Sequence, residues 1–166
     1  MGKSKCRNSR LLSSLSRHRS SSILRELTDY AVEYINQLQT YEHHEFQSLI
    51  KLAEKLPAKE HKLIKSKLRE MAYDCVTSDP KEWETYCLTP IQVVQSPCSG
   101  FYDLFAEIIP INLEYLLLNQ KEDGYWDPTW TWGRFEKEWE TAKEEWRGIL
   151  TLDYLKVLNA FDFLEK

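Results

Sequence analysis

Residues Asn119 to Gly133 read NQKEDGYWDPTWTWG, and their interpretation decides the fold. Gln120, Asp123, Gly124 and Trp126 stand at fixed offsets directly after the apolar helix pattern INLEYLLLN, and Trp126, Trp130 and Trp132 fall within seven positions. A Gln closing a helix can hydrogen-bond backbone groups left without partners at neighbouring helix ends. A Gly after Asp permits a tight turn, and a Trp two residues on buries a large area over the junction. The stretch therefore reads as a clamp between helices. Trp130 and Trp132 alternate around Thr131, which implies an extended piece with both rings on one side.

Outward from this clamp, helical periodicity dominates. Ile23, Leu24, Leu27, Tyr30, Ala31, Tyr34, Ile35 and Leu38 recur at one-, three- and four-residue steps and share one face of a helix. A second helix is expected around Phe46, Leu49, Ile50, Ala53 and Leu56, stopped by Pro57, and a third from about Lys59 to Cys75. Asp79, Pro80 and Glu82 have the form of a helix start, and a short helix is expected after Thr89-Pro90. The pattern from Phe101 to Leu117 contains Pro110, which requires a kink or two abutting helices. Beyond the clamp, a helix over Arg134–Arg147 carries Trp139, Ala142 and Trp146 on one face. Gly148 is read as its left-handed cap, and Thr151 as the cap of a last helix with Leu152, Leu155, Leu158 and Phe161 inward. No strand pattern occurs, so the fold class is all-α.

Composition bounds the rest. With 166 residues and 42% hydrophobic content the chain can build a sizeable core. Residues 1–25 hold seven Lys/Arg and no acid, so the head carries +7 against −11 for the remainder. An acidic body makes nucleic acid an unfavoured partner, and any polyanion would have to meet the head alone. Residues 1–22 are Ser- and Arg-rich and are expected to form a disordered tail; an organelle transit peptide, an imperfect myristoylation start with Cys6 in place of Ser or Thr, and the start of a truncated or shifted frame are the competing readings. Cys6, Cys75, Cys87 and Cys98 contain no C-x-x-C pair and follow no secretory signal, so reduced thiols in a cytoplasmic protein are expected. No apolar run reaches the roughly 18 to 20 residues of a membrane span.

The spacing Gln120-x-x-Asp123-Gly124-x-Trp126 resembles the QW repeat of the squalene/oxidosqualene cyclases and their protein-prenyltransferase relatives. More broadly, YCLTPIQVVQSPCSGFY, the clamp, W-x-P-x-W-x-W-G and EWRGILTLDYLKVLNAF look like the C-terminal half of bacterial and fungal toroid-like proteins described as prenyltransferase- or cyclase-like. The resemblance covers roughly Tyr73 to Phe161. It implies paired helices in an α/α toroid, with residues 23–166 as one partial toroid domain. A closed toroid needs more than the roughly six to eight helices that periodicity yields, so the chain reads as a half-toroid or fragment.

The catalytic signatures of that group are missing from this sequence. There is no Asp-x-Asp-Asp cluster to protonate a polyene and no Asp-Asp-x-x-Asp to hold metal against diphosphate. No His follows His61 to complete a zinc site near Cys87 or Cys98. HHEFQS at His43–Ser48 misses the H-E-x-x-H protease pattern because Ser48 stands where the second His belongs. Adjacent histidines on a helix point in different directions, so no metal and no cofactor are called for. Trp126, Trp130, Trp132 and Asp127 are the ligand-binding candidates, for a sugar-like ring or an apolar chain; the competing reading makes the rings core clamps, and Tyr73, Tyr86 and Tyr102 are assigned to packing. The expected function is a non-catalytic or fragmentary toroid domain. The alternatives are a cyclase-like or glycan-active enzyme whose acids lie in a missing N-terminal half, and a helical interaction module that self-associates through an open toroid edge.

Overall fold

The computed structural model describes residues 21–164, with Ser21 in its backbone only. The basic stretch 1–20, with Cys6, lies outside the described residues. Seven α-helices and one 3-10 turn make up the regular structure among them, with no strand, so the fold is all-α. None of these helices is long and apolar enough to cross a membrane. The chain divides into two compact units, Met1–Met71 and Ala72–Lys166.

The first unit contains α1 (Ser21–Gln37), α2 (His43–Ala53) and most of α3 (Ala58–Cys75). Glu42 caps α2, its side chain accepting from the Glu45 N–H at 3.0 Å. Backbone donors from His44 and Glu45 hold that carboxyl below its ordinary range. Tyr34 on α1 donates to Glu45 on α2, while Tyr41, just before α2, donates to Glu70 on α3 and accepts from Lys67. Ile35, Phe46, Leu49, Ala53, Ile64, Leu68 and Met71 are buried. The face expected along α1 is buried only at its C-terminal end: Ile35 is inside, but Ile23, Leu24, Leu27 and Tyr30 are each more than half exposed.

The second unit is built around α6 (Ile109–Leu118), reached from α3 through a 3-10 turn (Pro80–Glu82), α4 (Pro90–Val93) and α5 (Tyr102–Phe105). Asp79 caps the 3-10 turn by accepting from the Lys81 N–H, so the expected helix start is real but yields a single turn. The buried Trp83 ends that turn, donating from Nε1 to the Thr77 carbonyl at 2.7 Å and packing edge-on to Tyr115. Thr77 in turn donates to the Leu88 carbonyl beside an isolated bridge between Val76 and Leu88. The proline in the apolar run separates two helices, sitting at the start of α6 where its missing N–H costs nothing. Asn112, 1% exposed within the apolar α6, accepts from the Ile91 N–H at 3.0 Å and so satisfies a donor at the start of α4 that has no intrahelical partner.

The last element differs from expectation. Gly148 does not end a helix and Thr151 does not begin one: α7 runs unbroken from Glu136 to Ala160. A glycine inside a helix costs only about 1 kcal/mol, and the aromatic contacts described below bind α7 on both sides of Gly148. The Thr151 hydroxyl donates back to the Arg147 carbonyl at 2.7 Å, a mid-helix bond. Continuity also fixes the phase. Leu150, Val157 and Leu158 are buried, whereas Leu152 and Leu155, expected inward, face out.

Candidate functional site

The quoted segment leaves α6 at Leu118 and reverses in a turn closed by backbone bonds from Gly124 to Lys121 and from Lys121 to Tyr125. Gly124 has φ +85°, the left-handed region, which is why glycine serves there. Gln120 does not reach a neighbouring helix end as expected. Its Nε2 donates to the Gly124 carbonyl at 3.0 Å and braces its own turn. Asp123 is exposed at the tip.

Trp126 performs the bridging instead. Its ring is 2% exposed, its Nε1 donates to the Leu116 carbonyl at 2.8 Å in the last turn of α6, and its face meets Tyr154 of α7 edge-on at 5.5 Å. Burial drives the Tyr154 phenol up to about 12.

From Trp126 the chain runs antiparallel to α7, with a bend at Thr129. Trp130 packs edge-to-face on Trp146 at 5.4 Å, and Trp132 packs on Trp139 at 5.4 Å. Trp139, Trp146 and Tyr154 are seven and eight residues apart, so each aromatic rung advances two helical turns along one face of α7. The alternation around Thr131 does put both rings toward the same helix. Tyr86 packs edge-on to Trp130 at 6.2 Å, and Tyr102 lies 6.3 Å from Phe161. Tyr73 and Tyr86, assigned to packing, are nevertheless more than half exposed.

Asp127 is the charged centre of the segment. Its Oδ1 accepts from Arg147 Nε at 2.8 Å and lies 3.6 Å from Lys143 Nζ, while Oδ2 is 3.8 Å from Lys121 Nζ. Burial pushes this carboxyl up, but the Arg147 hydrogen bond and the Lys143, Arg147 and Lys121 charges outweigh it, leaving the group below its ordinary range. Arg147 also bonds Glu144 and lies over the Tyr125 ring at 4.6 Å. Its guanidinium is therefore fixed by two carboxylates and one aromatic face, all of which favour its charged form.

Beside this centre lies an open recess of about 450 Å³ lined by Tyr125, Glu144, Arg147, Gly148, Thr151, Leu152 and Leu155. Its wall is mostly apolar, with the Arg147–Glu144 pair at one side and the bare backbone of Gly148 opening space. Of the sequence candidates, Asp127 touches the recess only through Arg147, and Trp126, Trp130 and Trp132 do not line it. Trp132 retains 46% exposure. Sequence reasoning missed Tyr125 and Arg147, and it placed Leu152 and Leu155 in the core because it broke α7 at Gly148.

Comparisons of the chain with protein-family models, curated proteins and solved structures gave no match.

Proposed function

We propose that this chain is a non-catalytic all-α domain of the α/α toroid type, related to the terpenoid cyclases and protein prenyltransferases, whose function is assembly with a second copy through α1. The observation that carries the reading is the exposed stripe on that helix. Ile23, Leu27, Tyr30 and Tyr34 follow one another at steps of four, three and four residues, all exposed, with Tyr30 and Tyr34 stacked at 6.2 Å. Such a stripe is about 16 Å long and has the spacing of a helix–helix seam. A contiguous apolar face of this kind is the usual mark of association. The tryptophans of 126–132, by contrast, are engaged within the fold.

Light scattering on the full chain over a range of concentrations tests the reading. A mass rising toward twice that of the monomer, and returning to the monomer in Leu27→Asp/Tyr30→Asp, is the expected result. A chain that stays monomeric at every concentration sinks it.

The recess favours a second reading, in which the same domain holds an apolar or sugar-like small molecule against Tyr125, Leu152 and Leu155. Under it, a ligand would quench the neighbouring tryptophans, and Leu152→Asp would abolish the quenching without changing the mass.

A further inference from the structure

Glu42, His43 and His44 open α2, and their geometry there is not that of a helix interior. Glu42 is the cap, with extended backbone at φ −123° and ψ 136°, and the two histidines occupy the first helical positions. Adjacent residues further along a helix diverge, as expected for this pair from sequence, but here the two ring centroids lie 4.1 Å apart with the planes tilted by 48°. His43 Nδ1 stands 3.5 Å from Glu42 Oε1. The other carboxylate oxygen, Oε2, is held by the Glu45 N–H at 3.0 Å. One oxygen thus caps the helix and orients the carboxylate, while its twin turns toward the imidazoles.

We propose that Glu42, His43 and His44 form a binding site for a divalent transition-metal ion of the Zn²⁺ or Ni²⁺ type. One ligand atom from each residue lies within 4.8 Å of the other two. Bond lengths of about 2.0–2.2 Å place neighbouring donors of a tetrahedral ion about 3.3–3.6 Å apart. The three side chains therefore close by an ångström or so, which rotation about exposed χ angles supplies: Glu42 and His44 are exposed and His43 is half-buried. Two imidazole nitrogens and one carboxylate oxygen suit zinc, nickel and copper far better than magnesium or calcium, which favour all-oxygen shells. Water completes the coordination on the solvent side. The positive end of the α2 dipole opposes a cation here, and the Glu42 carboxylate offsets it. The Glu45 N–H acts as the outer partner that fixes the ligating carboxylate, a role such partners commonly fill in metal sites.

Calorimetric titration of the full chain with Zn²⁺ alone tests the site, with Mg²⁺ as the comparison ion. One equivalent of zinc is expected to bind saturably, with no heat from magnesium. His43→Ala/His44→Ala should weaken zinc at least about tenfold, since even outer-sphere partners of a metal are worth about 10- to 100-fold. Glu42→Gln keeps a side-chain oxygen for the cap and should weaken binding while leaving the melting temperature in place. His61→Ala, outside the cluster, should bind as the parent does. Co²⁺ spectra must lack the near-ultraviolet thiolate band, which separates this site from the cysteines. No saturable zinc heat, a thiolate band, or undiminished binding in His43→Ala/His44→Ala, with circular dichroism showing each variant folded, overturns the assignment.

Discussion

The indole Nε1 of Trp126 donates to the carbonyl of Leu116, ten residues earlier, at 2.8 Å, with both residues buried. The last turn of a helix leaves carbonyls without intrahelical partners, and burying one unpaired is costly. The Leu116 carbonyl accepts from the Asn119 N–H at 3.2 Å, and Trp126 adds a second, shorter bond to it while presenting its ring to Tyr154, so one side chain braces the end of one helix and docks another.

Trp126→Phe keeps an aromatic ring but removes the indole donor, leaving the Leu116 carbonyl only the Asn119 N–H at 3.2 Å, and is expected to lower stability by about 0.5–1.5 kcal/mol. Trp126→Ala adds a cavity and should cost about 3–5 kcal/mol. Urea unfolding followed by circular dichroism distinguishes the two; a Phe variant as stable as the parent would show that the hydrogen bond contributes nothing net.

The rung between Trp130 and Trp146 is edge-to-face, at 82° between planes. A double-mutant cycle with leucine at both positions should return a coupling of about 0.5–1.5 kcal/mol. A coupling near zero would mean that the two rings act only through the area each buries.

Two glycines make opposite predictions. Gly124 sits at φ +85°, and a Cβ there would meet only Gln120 Nε2 at 3.9 Å, so the cost of Gly124→Ala is conformational, about 1–2 kcal/mol. Gly148 lies within α7 with nothing within 4 Å of an added Cβ. Gly148→Ala should therefore raise stability by about 0.5–1 kcal/mol. Thermal melts of the two variants check the signs, and destabilisation by Gly148→Ala would contradict an unbroken α7.

Asp127 makes stability sensitive to acid. Its carboxyl is held below the ordinary 3.8 in the folded chain, so the unfolded chain binds this proton more readily. The contribution is complete above the unfolded value and is lost as pH falls through the lower folded value. The stability difference between parent and Asp127→Asn should therefore be constant near neutral pH and shrink below about pH 4. Denaturation midpoints measured across that range test it, and a difference that persists undiminished at the acid end would exclude Asp127 as its source.

Local pattern was enough for much of this molecule. The apolar steps of α2 and α3, the Thr89-Pro90 start, the break at Pro110 and the Asp123-Gly124 turn are each written in a few neighbouring residues, because capping, proline geometry and helical periodicity are short-range effects. The all-α class follows from them, and so does the common direction of Trp130 and Trp132. What tertiary structure alone decided is how those pieces are used. Gly148 and Thr151 carry the local marks of a helix end, yet aromatic rungs from residues 126–132 bind α7 on both sides of them, and long-range burial outweighs a weak propensity. The face of α1 has the same periodicity whether or not anything covers it, so sequence marks Leu27 and Tyr30 as apolar but only the folded chain leaves them in solvent. The same holds for Asp127 and Arg147: twenty residues apart in the chain, they become partners only when the turn after α6 lays residues 126–132 along α7.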